Sequence, residues 1–177
     1  MAHSGMKSIA LAAGTESTVG KPSAEALRLF EEHGASLHRF CRATLARADE
    51  AEDVVQETFL KLLHHLENDR DRSNLRAWLF TVAANACRDR LRWRLRWLPW
   101  REELDTRIVE IVDDGPEKAA RAALRALRPR DRLLLSLRAQ GLSYREIASA
   151  AGIREASVGR LLARAIQRWK GKYALSR

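Results

Sequence analysis

Apolar positions recur three and four residues apart along most of this chain, the pattern of helices that each bury one side. From Ser23 to about Ala48, Leu27, Phe30, Leu37, Phe40, Cys41 and Leu45 form one such stripe, with Ser23 as a predicted N-cap and Gly34 as a weak or kinked point. Asp49 to Leu66 follows, with Val54, Val55, Thr58, Phe59, Leu62, Leu63 and Leu66 on its apolar side. Its first turns carry Asp49, Glu50, Glu52, Asp53 and Glu57, where carboxylates suit the positive end of a helix dipole. After a polar loop, Asn68 to Asn74, a third helix is predicted over about Leu75–Arg96, with Trp78, Leu79, Val82, Ala83, Ala86, Cys87 and Leu91 facing inward. Arginines at 88, 90, 92, 94 and 96 spread charge around its far end.

The segment Gly141–Trp169 is the most specific. Ser143 and Glu146 fit a capping box at the start of a short helix bearing Ile147, Ala148 and Ala151. Gly152 falls where the chain must turn out of that helix, in a conformation glycine accepts. A second helix runs from about Glu155 to Trp169, burying Val158, Leu162, Ala165 and Trp169. This is a helix-turn-helix pattern. Its opposite face carries Ala156, Arg160, Ala163, Arg164 and Gln167. Arginine reads guanine and glutamine reads adenine in a major groove, and small residues let a helix sit deep there.

Composition agrees with an all-α chain: 4 Pro and 9 Gly in 177 residues, with 46% hydrophobic residues to fill a core. The net charge of +9 suggests a polyanionic partner, and its distribution says more than its total. Residues 117–177 hold 15 Lys/Arg against 4 Asp/Glu, whereas residues 98–116 hold 2 against 6. A basic C-terminal module thus follows an acidic connector. Residues 1–22, rich in Ala, Ser, Thr and Gly, read as a flexible tail. Ser8–Ala13 is too short for a signal segment and no membrane-spanning run is present, so a cytoplasmic protein is expected.

Cys41 and Cys87 fit neither a disulfide framework nor a metal-site spacing and are predicted to be buried thiols. His33, His38 and Cys41 lack an evident fourth ligand, and the adjacent His64 and His65 point to different sides of a helix. No metal, cofactor or catalytic residue is therefore expected. The carboxylates Glu52, Asp53 and Glu57 have no histidine or glycine-loop partner that would make a nuclease site.

AEDVVQETFLKLL, then NLRAWLFTVAANACRDRLR, then the helix-turn-helix, together resemble the paired domains of bacterial sigma factors of the small extracytoplasmic-function (ECF) group. The resemblance covers about Ala24 to Lys172. It implies two compact helical domains, residues 23–97 and 117–177, on a short linker at 98–116, and a protein that binds core RNA polymerase and directs it to promoters. By motif, it implies polymerase contact at Glu52, Asp53, Gln56, Glu57 and Leu60. It puts Asn74 and Arg76 near a pocket for a flipped minus-ten base, with Asn85, Arg88 and Arg92 on strand phosphates. It assigns minus-thirty-five base edges to Arg160, Arg164 and Gln167, with Arg154 and Ser157 near the helix start and Tyr144, Arg145 and Arg168 on phosphates. The linker's carboxylates would suit passage toward the polymerase channel, or simply solvent. Many members carry Lys-Ser-Arg after the valine; here Gly159, Arg160 and Leu161 stand instead. The resemblance also admits an anti-sigma protein as partner. The alternative is a stand-alone helix-turn-helix regulator, for which no dimerisation segment is evident.

Overall fold

The structure is a computed structural model that describes residues 20–68, 70–97 and 116–175. Residues 1–19 of the predicted tail and nearly all of the predicted linker lie outside these residues, while Gly20–Pro22, read as tail, open the first helix. Seven helices and no strand are found among the described residues: α1 (Gly20–Leu45), α2 (Ala48–Glu67), α3 (Leu75–Trp97), α4 (Pro116–Arg125), α5 (Pro129–Ala139), α6 (Tyr144–Ala151) and α7 (Glu155–Ala174).

The stripes on α1, α2 and α3 pack against one another as their spacing predicts, with three departures in α1. The helix begins three residues before Ser23, which is therefore an interior residue and not a cap. It ends at Leu45, because Ala46 turns left-handed at φ 61° and starts the tight turn into α2. Leu27 and Phe30, expected in the core, are exposed: the stripe on α1 extends past the neighbour available to cover it. Phe30 instead meets the Phe59 ring edge-on at 4.9 Å. Deeper in, Phe40 of α1 and Phe80 of α3 make the same edge-to-face contact at 5.5 Å and are fully buried. Cys41 and Cys87 are free and buried, as predicted. A hydrogen bond to Cys41 and burial push the Cys87 thiol well above its ordinary value, so it stays protonated.

Helices α4 and α5 were not resolved from the sequence. Their arginine-rich pattern hides the apolar positions Ala123, Leu127, Leu133, Leu134 and Leu137, all buried. Pro129 opens α5 at its first turn, where its missing N–H costs nothing. The helix-turn-helix forms as read. Gly152 adopts φ 64°, ψ 44° at the C-cap of α6. Val158, Leu162 and Ala165 of α7 are buried, and Trp169, half-buried, donates its indole N–H to the Ala120 carbonyl at 3.2 Å.

The two halves of the chain share one apolar core. Leu37, Phe40 and Phe80 belong to the same cluster as Leu134, Leu137, Leu142 and Ile147. Helix α5 rests on α1, and α6 on α3. One polar joint fixes the second contact. Glu146 accepts from the Ser143 backbone N–H (2.7 Å) and from its hydroxyl (2.8 Å), completing the capping box. Its other oxygen accepts from Asn74 Nδ2 at 2.7 Å. Asn74 is itself the cap of α3, its Oδ1 accepting from the Ala77 N–H at 3.0 Å. Two helix starts, 72 residues apart, are thus tied through one carboxylate.

Two outcomes follow for stability. Phe80→Ala leaves a ring-sized void and loses the edge contact, so chemical denaturation should show about 3–5 kcal/mol lower stability. The Ser143 backbone N–H foremost, helped by its hydroxyl, Asn74 and Arg76, holds the Glu146 carboxyl below its ordinary value of 4.5, against the opposing effect of burial. A depressed pKa stabilises the fold above the ordinary value and ceases to as pH falls through the lowered one. Glu146→Gln keeps the cap geometry without the charge. Wild type should therefore exceed this variant in urea midpoint at neutral pH, and the difference should vanish on acidification to well below 4.5.

Candidate nucleic-acid and polymerase interfaces

Three groups of side chains were singled out by sequence, and the fold treats them differently. The first lies on α2. Glu52, Asp53, Gln56 and Leu60 follow helical spacing and are exposed, so they share one solvent-facing strip. Leu60 is 70% exposed, a large apolar side chain left in water beside carboxylates. Glu57 departs from the strip. It pairs with Lys61 at 2.6 Å and with Arg90 of α3 at 3.3 Å, and Lys61 foremost lowers its carboxyl below the ordinary range.

Glu57 instead edges a cleft of ≈ 470 Å³ between α2 and α3. Lys61, Asn85, Asp89, Arg90 and Trp93 line it too. Trp93 is exposed at 62%, so it is a ring available for stacking and not part of the core. Trp78, by contrast, is half-buried and lies against the buried His65 ring at 4.5 Å, while His65 Nε2 donates to the Asp71 carbonyl at 2.8 Å. That bond and the Asp71–Ser73 contacts shape the loop leading to Asn74.

The second group sits on α3 and is split. Asn85 and Arg92 are exposed, Arg92 pairing with Asp89 at 2.9 Å. Asn74, Arg76 and Arg88 face the C-terminal half. Arg76 donates to the Gln140 carbonyl and lies over the Phe80 ring. Arg88 Nη1 donates to the Ala150 carbonyl at 3.0 Å. The partners Gln140, Glu146 and Ala150 were not foreseen. Only the capping box marked Glu146, and that signal is local to its own helix.

The third group is on the helix-turn-helix. Ala156, Arg160, Ala163, Arg164 and Gln167 are all exposed on one face of α7, as predicted. Arg154 occupies the N-cap position and Ser157 the first turn. Arg145 is exposed on α6. Tyr144, also exposed, lies under the Arg138 guanidinium and against α7 at Gly159. A Cβ at Gly159 would stand 3.3 Å from the Tyr144 ring, so this glycine sets the close approach of α6 and α7. Arg168 is only partly available, since Nη1 bonds the buried Asp131 at 2.7 Å.

These placements give an acidic-apolar strip, an aromatic cleft beside arginines, and an exposed basic face on α7. No group of three or more His, Cys, Asp or Glu residues suited to a metal occurs among the described residues. None of the described helices is long and apolar enough to cross a membrane.

Comparison with known proteins agrees with this division. Residues 29–96 match sigma-70 region 2 and residues 117–168 match sigma-70 region 4. The ECF RNA polymerase sigma factor EcfG of Rhodopseudomonas palustris is 35% identical over 126 residues, 66% of this chain and 67% of that protein. The RNA polymerase sigma factor CarQ of Myxococcus xanthus is 30% identical over 132 residues, 71% of this chain and 75% of that one. Among solved structures, the sigma factor RpoE of Bartonella quintana, in complex with the anti-sigma factor NepR, is similar with a TM-score of 0.68 and 25% identity over 88% of this chain and 98% of that one. The helical architecture, the order of the two regions and these relatives agree: the chain belongs to the ECF family of RNA polymerase sigma factors.

Proposed function

We propose that this sigma factor divides promoter recognition between its halves. Residues 23–97 bind core polymerase through the exposed strip of α2, Glu52, Asp53, Gln56 and Leu60, with Glu57 at its border. The same unit opens the minus-ten element and holds the freed strand with Asn74, Arg76, Asn85, Arg88 and Arg92. Residues 117–177 read the minus-thirty-five duplex, with Arg160, Arg164 and Gln167 on base edges, Arg154 and Ser157 at the groove entrance, and Tyr144, Arg145 and Arg168 on phosphates. Residues 98–116 link them. The protein works by binding and not by catalysing a reaction, and it works in the cytoplasm. As relatives of known structure are held by anti-sigma proteins, a protein inhibitor of that kind is proposed here too.

The observation that supports this most is the α7 face. Two arginines and a glutamine project from a helix whose small residues, Ala156 and Ala163, permit close approach to a groove floor. The capped turn before it fixes the angle at which the helix enters. Strand opening needs no nucleotide hydrolysis if bound, unpaired bases repay the stacking they lose.

Run-off transcription with purified core polymerase on a genomic-fragment library tests the reading. Products should require both components. On a promoter found in this way, Arg160→Ala and Arg164→Ala should each cost about 1–3 kcal/mol of duplex binding and relax the preference at one base position. Arg145→Ala should weaken all duplexes alike and flatten the salt dependence by about one unit. Leu60→Asp should reduce polymerase capture in pull-down titrations and leave binding to promoter duplex unchanged. Equal polymerase binding by the Leu60 variant would falsify the docking assignment.

A further inference from the structure

Tyr144 stands at the first position of α6, yet one edge of its ring lies on α7. The cause is Gly159. The three atoms that a Cβ at Gly159 would meet first all belong to Tyr144: Cε2 at 3.3 Å, the hydroxyl oxygen at 3.8 Å and Cζ at 3.9 Å. The phenol therefore fills space that a side chain at 159 would take. Its face is held as well. The Arg138 guanidinium lies over the ring, 5.8 Å from the centroid, and Arg138 Nη1 donates to the Leu142 carbonyl at 3.2 Å. A cation over the aromatic face and backbone close to the ring edge fix the tilt and depth of the phenol. The rest of the side chain, 46% exposed, is in solvent.

Gly159 is the fifth residue of α7, which begins at Glu155. Residues three and four apart share a helix side, so Gly159 lies beside Ala156 and Ala163, at the border of the face that carries Arg160 and Arg164. In a helix-turn-helix, early residues of the second helix meet base edges, while the first helix crosses the backbone. Tyr144 is thus carried by the helix on the backbone side, but its hydroxyl sits on the helix that enters the groove. A phenol hydroxyl can donate to a purine N7 or a base carbonyl, and can accept from an exocyclic amine. Orientation selects among these, and this ring has a fixed orientation. Cations for phosphate stand nearby: Arg145 is exposed on α6, and Arg154 occupies the N-cap position of α7.

We propose that Tyr144 reads a base edge of the minus-thirty-five duplex, beyond any hold on phosphate, and that Gly159 is the positioning residue that admits it. This rests on the assignment of α7 to duplex reading and deepens it. With no side chain at 159, the reading surface is built from two helices. Arg160, Arg164 and Gln167 come from α7, and Tyr144 comes from α6. A single methyl group added at 159 then alters base preference while every assigned contact residue is retained.

The test uses the full chain with core polymerase and a promoter duplex randomised across its minus-thirty-five element. Sequencing of bound and unbound duplex gives the preference at each base position. Tyr144→Phe keeps the ring and removes only the hydroxyl. It should lower the preference at one position by about three- to tenfold, the factor that one net hydrogen bond supplies, and spare the others. Gly159→Ala sets a Cβ against a ring that Arg138 covers on its face, so the hydroxyl must move. It should lower the preference at that same position. Alanine favours a helix more than glycine does, so the thermal midpoint should hold or rise as the preference falls. A glycine kept only for packing would show the reverse, a lower midpoint with preference intact. The double variant should lose nothing further at that position, since both changes act through one hydroxyl.

Equal weakening of every duplex by Tyr144→Phe, or no change at all, overturns the proposal. So does a Gly159→Ala variant with unaltered preference, or additive losses in the double variant. If Gly159→Ala fails to fold, Tyr144→Phe decides alone. Arg164→Ala, measured beside them, keeps the two readings apart. A preference lost by Arg164→Ala but by no Tyr144 variant leaves α7 as the reader and rejects Tyr144. A wild type without preference at any position rejects both.

Discussion

A carboxylate has room for only a few good donors, and Glu146 uses its two oxygens to hold together two helices from distant parts of the chain. One oxygen closes the capping box of α6, and the other takes the amide that caps α3. Neither helix start could be finished in this way unless the halves were in register. The apolar contacts around it, from Phe80 and Ala83 on one side to Ile147 and Ala150 on the other, supply area but little direction. Hydrogen bonds at the ends of α5 and α6 supply the direction. The shape of the whole molecule, with α6 along α3 and α5 on α1, depends on this pairing of a greasy surface with a few oriented polar groups.

The same economy governs the functional surfaces. Groups able to bind phosphate are abundant in a chain with 32 Lys and Arg, so charge alone does not separate a DNA face from a structural one. Partners do. Arg168 stabilises a buried carboxylate on α5, and Arg94 joins Glu50 and lies near the Leu45 carbonyl. Arg160 and Arg164 stay in solvent on the face of a helix already anchored from behind. The difference arises from what stands opposite each side chain in three dimensions.

That is also the boundary of what the sequence discloses. Local rules found α2, α3, the capping box and the left-handed Gly152, because each is decided within about four residues. They placed Ser23 as a cap and Leu27 and Phe30 in the core, since periodicity records which face could be buried and not whether a neighbour reaches it. They passed over α5, although Pro129 is a fair start signal, because Arg128, Arg130 and Arg132 obscure the leucines between them. The exposed face of α7 was legible because its residues follow one helical spacing. The occupation of Asn74, Arg76 and Arg88 was not, as their partners lie 60 or more residues away: |i−j| is 72, 64 and 62.

The left-handed Ala46 gives the assembly a mechanical property. Only Ala46 and Arg47 separate α1 from α2, so the two helices form a stiff hairpin with little slack at its bend. One arm of that hairpin presents the acidic strip and Leu60 to solvent; the other is the seat of α5. A body that grips the outer arm and turns it must turn the seat as well. The hairpin is in that sense a lever with its load and its handle on opposite arms, and a force applied at Leu60 reaches the contact between α1 and α5 through covalent backbone.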